Sequence, residues 1–263
     1  RRSSDLLHRL REGLILGVDL GTSGCKALVI NGRGQVIARA VSEYPLYTPR
    51  FGWAEQDPAD WWAGAVSSIS QVVKRIDPSC LVGMGLSGQM HGLVPLDASH
   101  TVLRRAILWN DQRTKAQCEE ILRLVGGKAR LLELTNNSML PGYTAPKILW
   151  LREEEPGIYE RTRIFLNPKD FLRLMLTGEV ATEVSDASGT GLFNVRDRIW
   201  SAEVLAALDI SEEQLPCCHE SAAITGRISD AASEATGLPK GLPVAGGGGD
   251  AVIQTTGTGL VRQ

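Results

Sequence analysis

Net positive charge is missing: 28 Lys and Arg stand against 30 Asp and Glu in 263 residues, a formal charge of −2. Without a global basic field, binding to nucleic acid or an anionic membrane surface by bulk electrostatics is excluded, and partners must be recognised locally. Cysteine is sparse. Cys25, Cys80, Cys118, Cys217 and Cys218 form no C-x-x-C pair, which argues against a disulfide framework or zinc site and for a reducing, cytoplasmic setting. Apolar runs are short: residues 14–18 and 81–86 fall far below the ~20 residues that span a bilayer. No G-x-S-x-G elbow or H-E-x-x-H helix occurs, so hydrolase chemistry has no positive support.

What is present is the composition of a folded globular chain, 43% hydrophobic and 22% charged, with 28 Gly and 12 Pro. Short apolar segments at 14–18, 27–30 and 35–41, separated by turn residues, predict three consecutive strands in an antiparallel meander. Asp57-Pro58 opens a helix in which Trp61, Trp62, Ala65, Ile69, Val72 and Val73 recur at helical spacing, ending near Asp77-Pro78. A strand at 81–86 follows. This order differs from a dinucleotide-binding fold, which alternates strand and helix from its first element. Helices are expected at 114–124, 143–154, 169–176 and 202–208, a Ser/Gly-rich loop at 185–191, a strand at 242–245 and a last helix at 251–260.

Four segments bear chemistry. Asp19-Leu20-Gly21-Thr22-Ser23-Gly24 follows the first strand, so its amides and the Thr22 and Ser23 hydroxyls can face phosphates while Asp19 holds a hydrated Mg²⁺. A plain hairpin turn explains it equally well. Gly246, Gly247, Gly248 and Gly249 precede Asp250, which is either a helix N-cap or a general base exposed by the absence of neighbouring side chains. Gln89-Met90-His91 lies on the turn after a buried strand; His91 is read as a hydrogen-bonding partner for a polyol, with a proton shuttle or a structural His as alternatives. Trp109-Asn110-Asp111 suits hydroxyl recognition or caps the next helix. Trp53, Trp61 and Trp62 are placed near the cleft, as sugar-stacking faces or as packing.

Together these segments resemble the FGGY family of carbohydrate kinases, in its xylulokinase branch. Residues 142–154, with Thr144, Lys147, Trp150 and Glu154 in register, fit the family's first signature, and 52–58, 88–92, 107–111, 167–170 and 185–190 match the branch pattern. The resemblance implies an α/β, actin-like ATPase (ribonuclease H-like) fold with a mixed sheet and flanking helices, one lobe of a two-lobe kinase. It implies residues 1–13 as an appended leader, 14–263 as the sugar-binding amino-terminal lobe, and a carboxy-terminal lobe absent from the chain. It further implies ATP-dependent phosphorylation of a ketose, D-xylulose to D-xylulose 5-phosphate. Asp250 would be the base, Gln89, Met90, His91, Trp109, Asn110 and Asp111 would meet the sugar, and Gly21, Thr22, Ser23, Gly24 and Lys26 would face ATP, with Mg²⁺ on Asp19. Ala251 stands where the family has Asn or Gln, which keeps a ribulose, deoxyketose or polyol substrate as an alternative, and the absence of the second lobe keeps a non-catalytic sugar-binding lobe as another. The partner expected is a small-molecule sugar, with no nucleic acid and no membrane, and a homodimer is compatible with the sequence.

Overall fold

The computed structural model describes residues 13–260. The leader assigned to residues 1–13 therefore lies, apart from Gly13, outside the described residues, as do 261–263. Alternation of apolar side chains builds the first three strands. Leu16, Val18 and Leu20 of β1 (Leu14–Leu20), Cys25, Ala27 and Val29 of β2 (Gly24–Asn31), and Ala38 and Ala40 of β3 (Val36–Glu43) are buried on one face. The strands pair antiparallel in sequence order, the expected meander.

After β4 (Glu55–Gln56), Asp57 accepts the Ala59 amide and starts α1 (Pro58–Val73), with Pro58 in the first turn where its missing N–H costs no bond. Trp61, Ala65, Ile69 and Val72 bury one stripe of α1 against β2 and β3. The helix stops at Val73, before the Asp77-Pro78 signal, because Asp77 caps a separate 3-10 turn, Pro78–Cys80.

β5 (Leu81–Gly88) then pairs parallel with β1. The main sheet runs β13 (Ile224–Arg227), β14 (Pro243–Ala245), β5, β1, β2, β3, and β15 (Gly248–Gly249) also pairs parallel with β5. This mixed sheet with flanking helices is the architecture expected. Two-residue or three-residue ladders hold the rest: β4 with β7 (Ala106–Ile107), β6 (Val94–Leu96) with β8 (Ile164–Leu166), β9 (Ala181–Glu183) with β12 (Cys217–His219), and β10 (Phe193–Asn194) with β11 (Ile199–Trp200).

Helices α2 (Lys115–Leu124), α4 (Thr144–Glu154), α6 (Pro168–Thr177) and α8 (Ala202–Leu208) fall where periodicity puts them. Three short ones, α3 (Lys128–Thr135), α5 (Pro156–Arg161) and α9 (Asp230–Thr236), were not expected from the sequence. The expected loop at 185–191 instead opens with α7 (Val184–Ser188), nucleated by the Glu183 side chain, which accepts the Ser185 and Asp186 amides. The last helix, α10 (Asp250–Gly257), begins one residue earlier than expected.

Two hydrophobic clusters form the interior. One fills the space between the sheet and α1, α6 and α9; the other gathers Ile121, Ile148, Trp150, Phe165 and Leu205 from α2, α4, β8 and α8. Trp61 is fully buried edge-on to Phe171, Trp62 packs against the first cluster, and Trp53 lies under the Arg113 guanidinium at 3.7 Å. These three rings are packing elements, the second of the two readings their sequence allowed. Among the described residues no helix is long and apolar enough to cross a membrane.

Trp61 also donates its indole N–H to Gln56 Oε1 at 2.9 Å. Trp61→Ala is therefore expected to cost about 3–5 kcal/mol, read as a lowered urea midpoint at unchanged slope.

Candidate active site

Parallel pairing across three strands sets out the site. Asp19 of β1 lies opposite Ser87 of β5, and Ser87 opposite Gly248 of β15; Leu20, Gly88 and Gly249 form the next row. At ~4.8 Å per strand, Asp19 and Gly248 are about 10 Å apart on the same edge. That edge is formed by the carboxyl ends of parallel strands, where open α/β sheets take their ligands. The chain leaves β15 directly into α10, whose first residue is Asp250. Gly249 occupies the cap position, and Asp250 Oδ1 accepts the Ala251 amide at 2.8 Å, so the plain N-cap explanation of Asp250 does not hold. Burial, and then the charge of Asp19, push the Asp250 carboxyl above the usual carboxylate range. Asp19 Oδ1 is itself buried without a hydrogen-bond partner.

Each of the four glycines before Asp250 is required by a neighbour. A Cβ on Gly246 would meet the Glu220 and Ser221 carbonyls at 2.9 Å, one on Gly247 the Leu86 carbonyl at 1.9 Å, one on Gly248 the Ile253 side chain at 2.9 Å, and one on Gly249 Met90 at 2.6 Å. Gly247 also has φ +74°. The run thus exists to lay main chain against β5 and against Met90, and the bare surroundings of Asp250 follow from that packing.

The turn after β1 is less free than its sequence suggests. Gly21 spends its amide on the Gly24 carbonyl at 3.1 Å, and Gly24 is glycine because the Ser42 carbonyl would sit 2.7 Å from its Cβ. The Thr22 hydroxyl donates to Gln89 Oε1 at 3.2 Å and accepts from Trp109 Nε1 at 3.0 Å, so it is not the free phosphate ligand expected. Ser23 is exposed, and Lys26, exposed on β2, lies opposite Asp19 in the strand register. Asp19 and Lys26 share the rim of a cavity of about 320 Å³ over Gly17, Leu28 and Gly85 on the open face of the sheet.

On the other side, Met90 packs on Gly249 and His91 approaches Gly189. His91 holds φ +65°, and its ring stacks on Tyr143 at 4.7 Å. Its Nδ1 lies 2.7 Å from the Gly189 carbonyl, which can only accept, so Nδ1 carries the proton and Nε2 is left as an acceptor. Burial, assisted by the Lys147 charge, lowers its pKa to about 4. His91 is therefore neutral near pH 7, which favours hydrogen bonding over proton shuttling.

Gln89 and Asp111 are corrections. Gln89 is buried, its Nε2 donating to Gln56 Oε1 at 2.9 Å while its Oε1 serves Thr22. Asp111 is wholly buried, with Oδ1 taken by the Arg113 amide and Oδ2 by Arg113 Nη2 and the Ala54 amide. Neither side chain reaches the crevice; Asp111 orients Arg113 between Trp53 and Trp150. Trp109 is 47% exposed, and half-buried Asn110 carries an Oδ1 without a partner.

A profile of the FGGY family of carbohydrate kinases, N-terminal domain, matches residues 14–257. The chain belongs to this family. It is 39% identical over 247 residues to the xylulose kinase of Klebsiella pneumoniae, covering 94% of this chain and 50% of the relative. Its fold superposes on the xylulose kinase of Rhodospirillum rubrum with a TM-score of 0.90 at 27% identity, covering 95% of this chain and 51% of that one. A xyloylose kinase from Brucella ovis gives 0.82 at 39% identity over 90% of this chain and 48% of the other. The chain thus spans about half the length of the relatives it matches.

In this FGGY chain the sequence reading left several supporting residues without a role. Arg173 of α6 donates to the Ala245 and Gly246 carbonyls, and Ser185 Oγ accepts the Gly249 amide at 3.0 Å, so both brace the strand that ends at Asp250. Behind them Lys169, Asp170, Glu183 and Asp186 form a fully buried charge cluster, Lys169 lying 2.6 Å from Asp170. The segments 167–170 and 185–190 marked Lys169, Asp170, Ser185 and Asp186 but not Arg173 or Glu183, and only their three-dimensional partners show what these residues do.

Two outcomes follow from this geometry. Gly247→Ala meets both the Leu86 carbonyl and a positive φ, and should cost roughly 3 kcal/mol or more in chemical denaturation. Because folding lowers the His91 pKa from 6.5 to about 4, the unfolded chain takes up a proton that the folded chain refuses. Stability from this site is complete above pH 6.5 and lost as pH falls towards 4, by up to about 3 kcal/mol. His91→Gln should remove that part of the wild-type pH dependence in parallel unfolding curves.

Proposed function

We propose that the chain is the sugar-binding half of an ATP-dependent ketose kinase, acting on D-xylulose to give D-xylulose 5-phosphate. The observation that carries this reading is the convergence of Asp250, Asp19 and the Met90–His91 turn on one strand-end crevice, with Met90 packed on the glycine that precedes Asp250. The xylulose kinase names of the relatives supply the sugar.

In this mechanism Asp250 takes the proton of the sugar's terminal hydroxyl as that oxygen forms its bond to the γ-phosphorus and the bond to ADP breaks. Its raised pKa, caused first by burial, makes it a better base. His91 Nε2 accepts a sugar hydroxyl, and the Asn110 carbonyl, unpartnered within the protein, accepts another. Asp19 fits a divalent cation, since its Oδ1 is buried and lacks a partner. When bound there, Mg²⁺ would neutralise charge on phosphate oxygens. Lys26 and Ser23 lie on the Asp19 side and are assigned to ATP. Positioning of sugar and phosphate in a crevice closed to water supplies most of the rate.

The test joins this chain to the carboxy-terminal half of the Klebsiella pneumoniae relative. Asp250→Ala should lower kcat by about 10²–10⁴-fold with the KM for D-xylulose little changed; near-normal turnover removes Asp250 from the mechanism. In a panel of ketoses and polyols, D-xylulose should rank among the best substrates, and a clear preference for ribulose or a deoxyketose overturns the sugar. In the chain by itself, Asp250→Asn should melt higher than wild type at pH 7. Folding raises the Asp250 pKa, so its ionisation opposes folding, and the difference should vanish below about pH 4, where the unfolded carboxyl is also protonated.

A further inference from the structure

Lys147, on the first turn of α4, has no exposed surface. Burial pulls its ammonium down to about 7, against an opposing pull from Asp111. Asp111 does not form an ion pair with it, being engaged by Arg113 and the Ala54 amide. Instead Lys147 Nζ donates to two main-chain carbonyls, that of His91 at 2.7 Å and that of Gly142 at 2.6 Å. A buried ammonium satisfied only by carbonyls is costly to keep unless it orders what it touches.

What it touches are the two segments that flank the crevice. His91 stands at φ +65°, an uncommon conformation for a residue with a Cβ, and its carbonyl also accepts from Thr144 Oγ1 at 3.2 Å. Gly142 lies so close to Trp109 that a Cβ there would fall 2.3 Å from the Trp109 carbonyl, so the place of Gly142 sets the place of Trp109 and Asn110. Tyr143, the next residue, stacks on the His91 ring.

We infer that Lys147 is a positioning residue for sugar binding: a strut tying the Met90–His91 turn to the Gly142 segment beneath Trp109–Asn110, and so fixing the width of the sugar subsite. It does not touch the sugar. The effect is a matter of donors more than charge, because a neutral amine keeps two N–H groups, one for each carbonyl. This inference rests on the reading that Met90, His91 and Asn110 face the sugar, and its test separates the two.

The chain labelled with ¹³C and ¹⁵N is followed by NMR, first without sugar. Wild type should show a slowly exchanging Lys147 ¹⁵Nζ signal with contacts to Gly142 and His91, and a His91 Cα shift typical of positive φ. Lys147→Met should move the His91 Cα and carbonyl resonances, whereas Lys147→Arg should restore much of them. Val204→Ala, a cavity in the second cluster, should leave them in place although it destabilises the fold. D-xylulose titration should then be at least tenfold weaker for Lys147→Met and within twofold of wild type for Val204→Ala. The strut is overturned if the wild-type ammonium exchanges freely, if Lys147→Met leaves the His91 signals or the sugar affinity unchanged, or if Val204→Ala shifts both equally. Should Lys147→Met not fold, the wild-type ammonium signal and the arginine variant decide. If wild type binds no D-xylulose while the sugar-free signals behave as expected, the substrate assignment fails and the strut stands.

Discussion

A methyl group on Gly247 would sit 1.9 Å from the Leu86 carbonyl oxygen, and the rest of the crevice depends on that closeness. Because residues 246–249 can lie flat against β5, β15 pairs in register with Ser87 and Gly88, and the chain turns into α10 level with the carboxyl end of β1. A side chain at Gly247 would lift the strand from β5 and carry Asp250 with it. The same approach leaves room for Met90 against Gly249, so one packing constraint aligns both the carboxylate and the turn opposite it.

Two buried charge systems hold this arrangement from behind. Three carboxylates, Asp170, Glu183 and Asp186, surround Lys169 and Arg173, all without solvent exposure beyond 1%. Burial and the neighbouring carboxylates push Asp186 upward, the mark of a group whose charge is incompletely compensated. Such clusters add little net stability, since desolvation cancels most of the Coulomb attraction. Their value is directional. Arg173 reaches the Ala245 and Gly246 carbonyls, and Glu183 holds the Ser185 hydroxyl that receives the Gly249 amide. Lys147 plays the corresponding part on the other wall through His91 and Gly142.

A continuous polar relay also joins the walls. Trp109 donates to Thr22, Thr22 to Gln89, and Gln89 to Gln56, which returns a bond to the Thr22 carbonyl and accepts from Trp61. The turn after β1 and Trp109 are thereby held in one hydrogen-bonded unit rooted in α1. Networks of this kind specify a single arrangement because any member left unpaired in the interior is costly.

Much of the fold was legible from local pattern. The meander, the Asp57 cap, the strand at β5 and the helices of ten residues or more follow from periods and turn residues that act within a few positions. Asp19 stood out because a glycine turn follows it at a strand end, and Asp250 because a run of four glycines precedes it. The short helices α3 and α9 were not read from the sequence, although α8, of similar length, was. By itself, then, the sequence determined the family, the first strands and the longer helices, and it marked Asp19 and Asp250 as candidates. The tertiary structure decided which polar side chains remain free. Thr22, Gln89 and Asp111 look available in the sequence but are spent on other protein groups, among them partners 33 to 87 residues away, while Lys147, Arg173 and Ser185 acquire their roles from carbonyls and amides of other segments. Periodicity and capping are short-range, whereas hydrogen-bond satisfaction in a buried site depends on which distant segments the fold brings together.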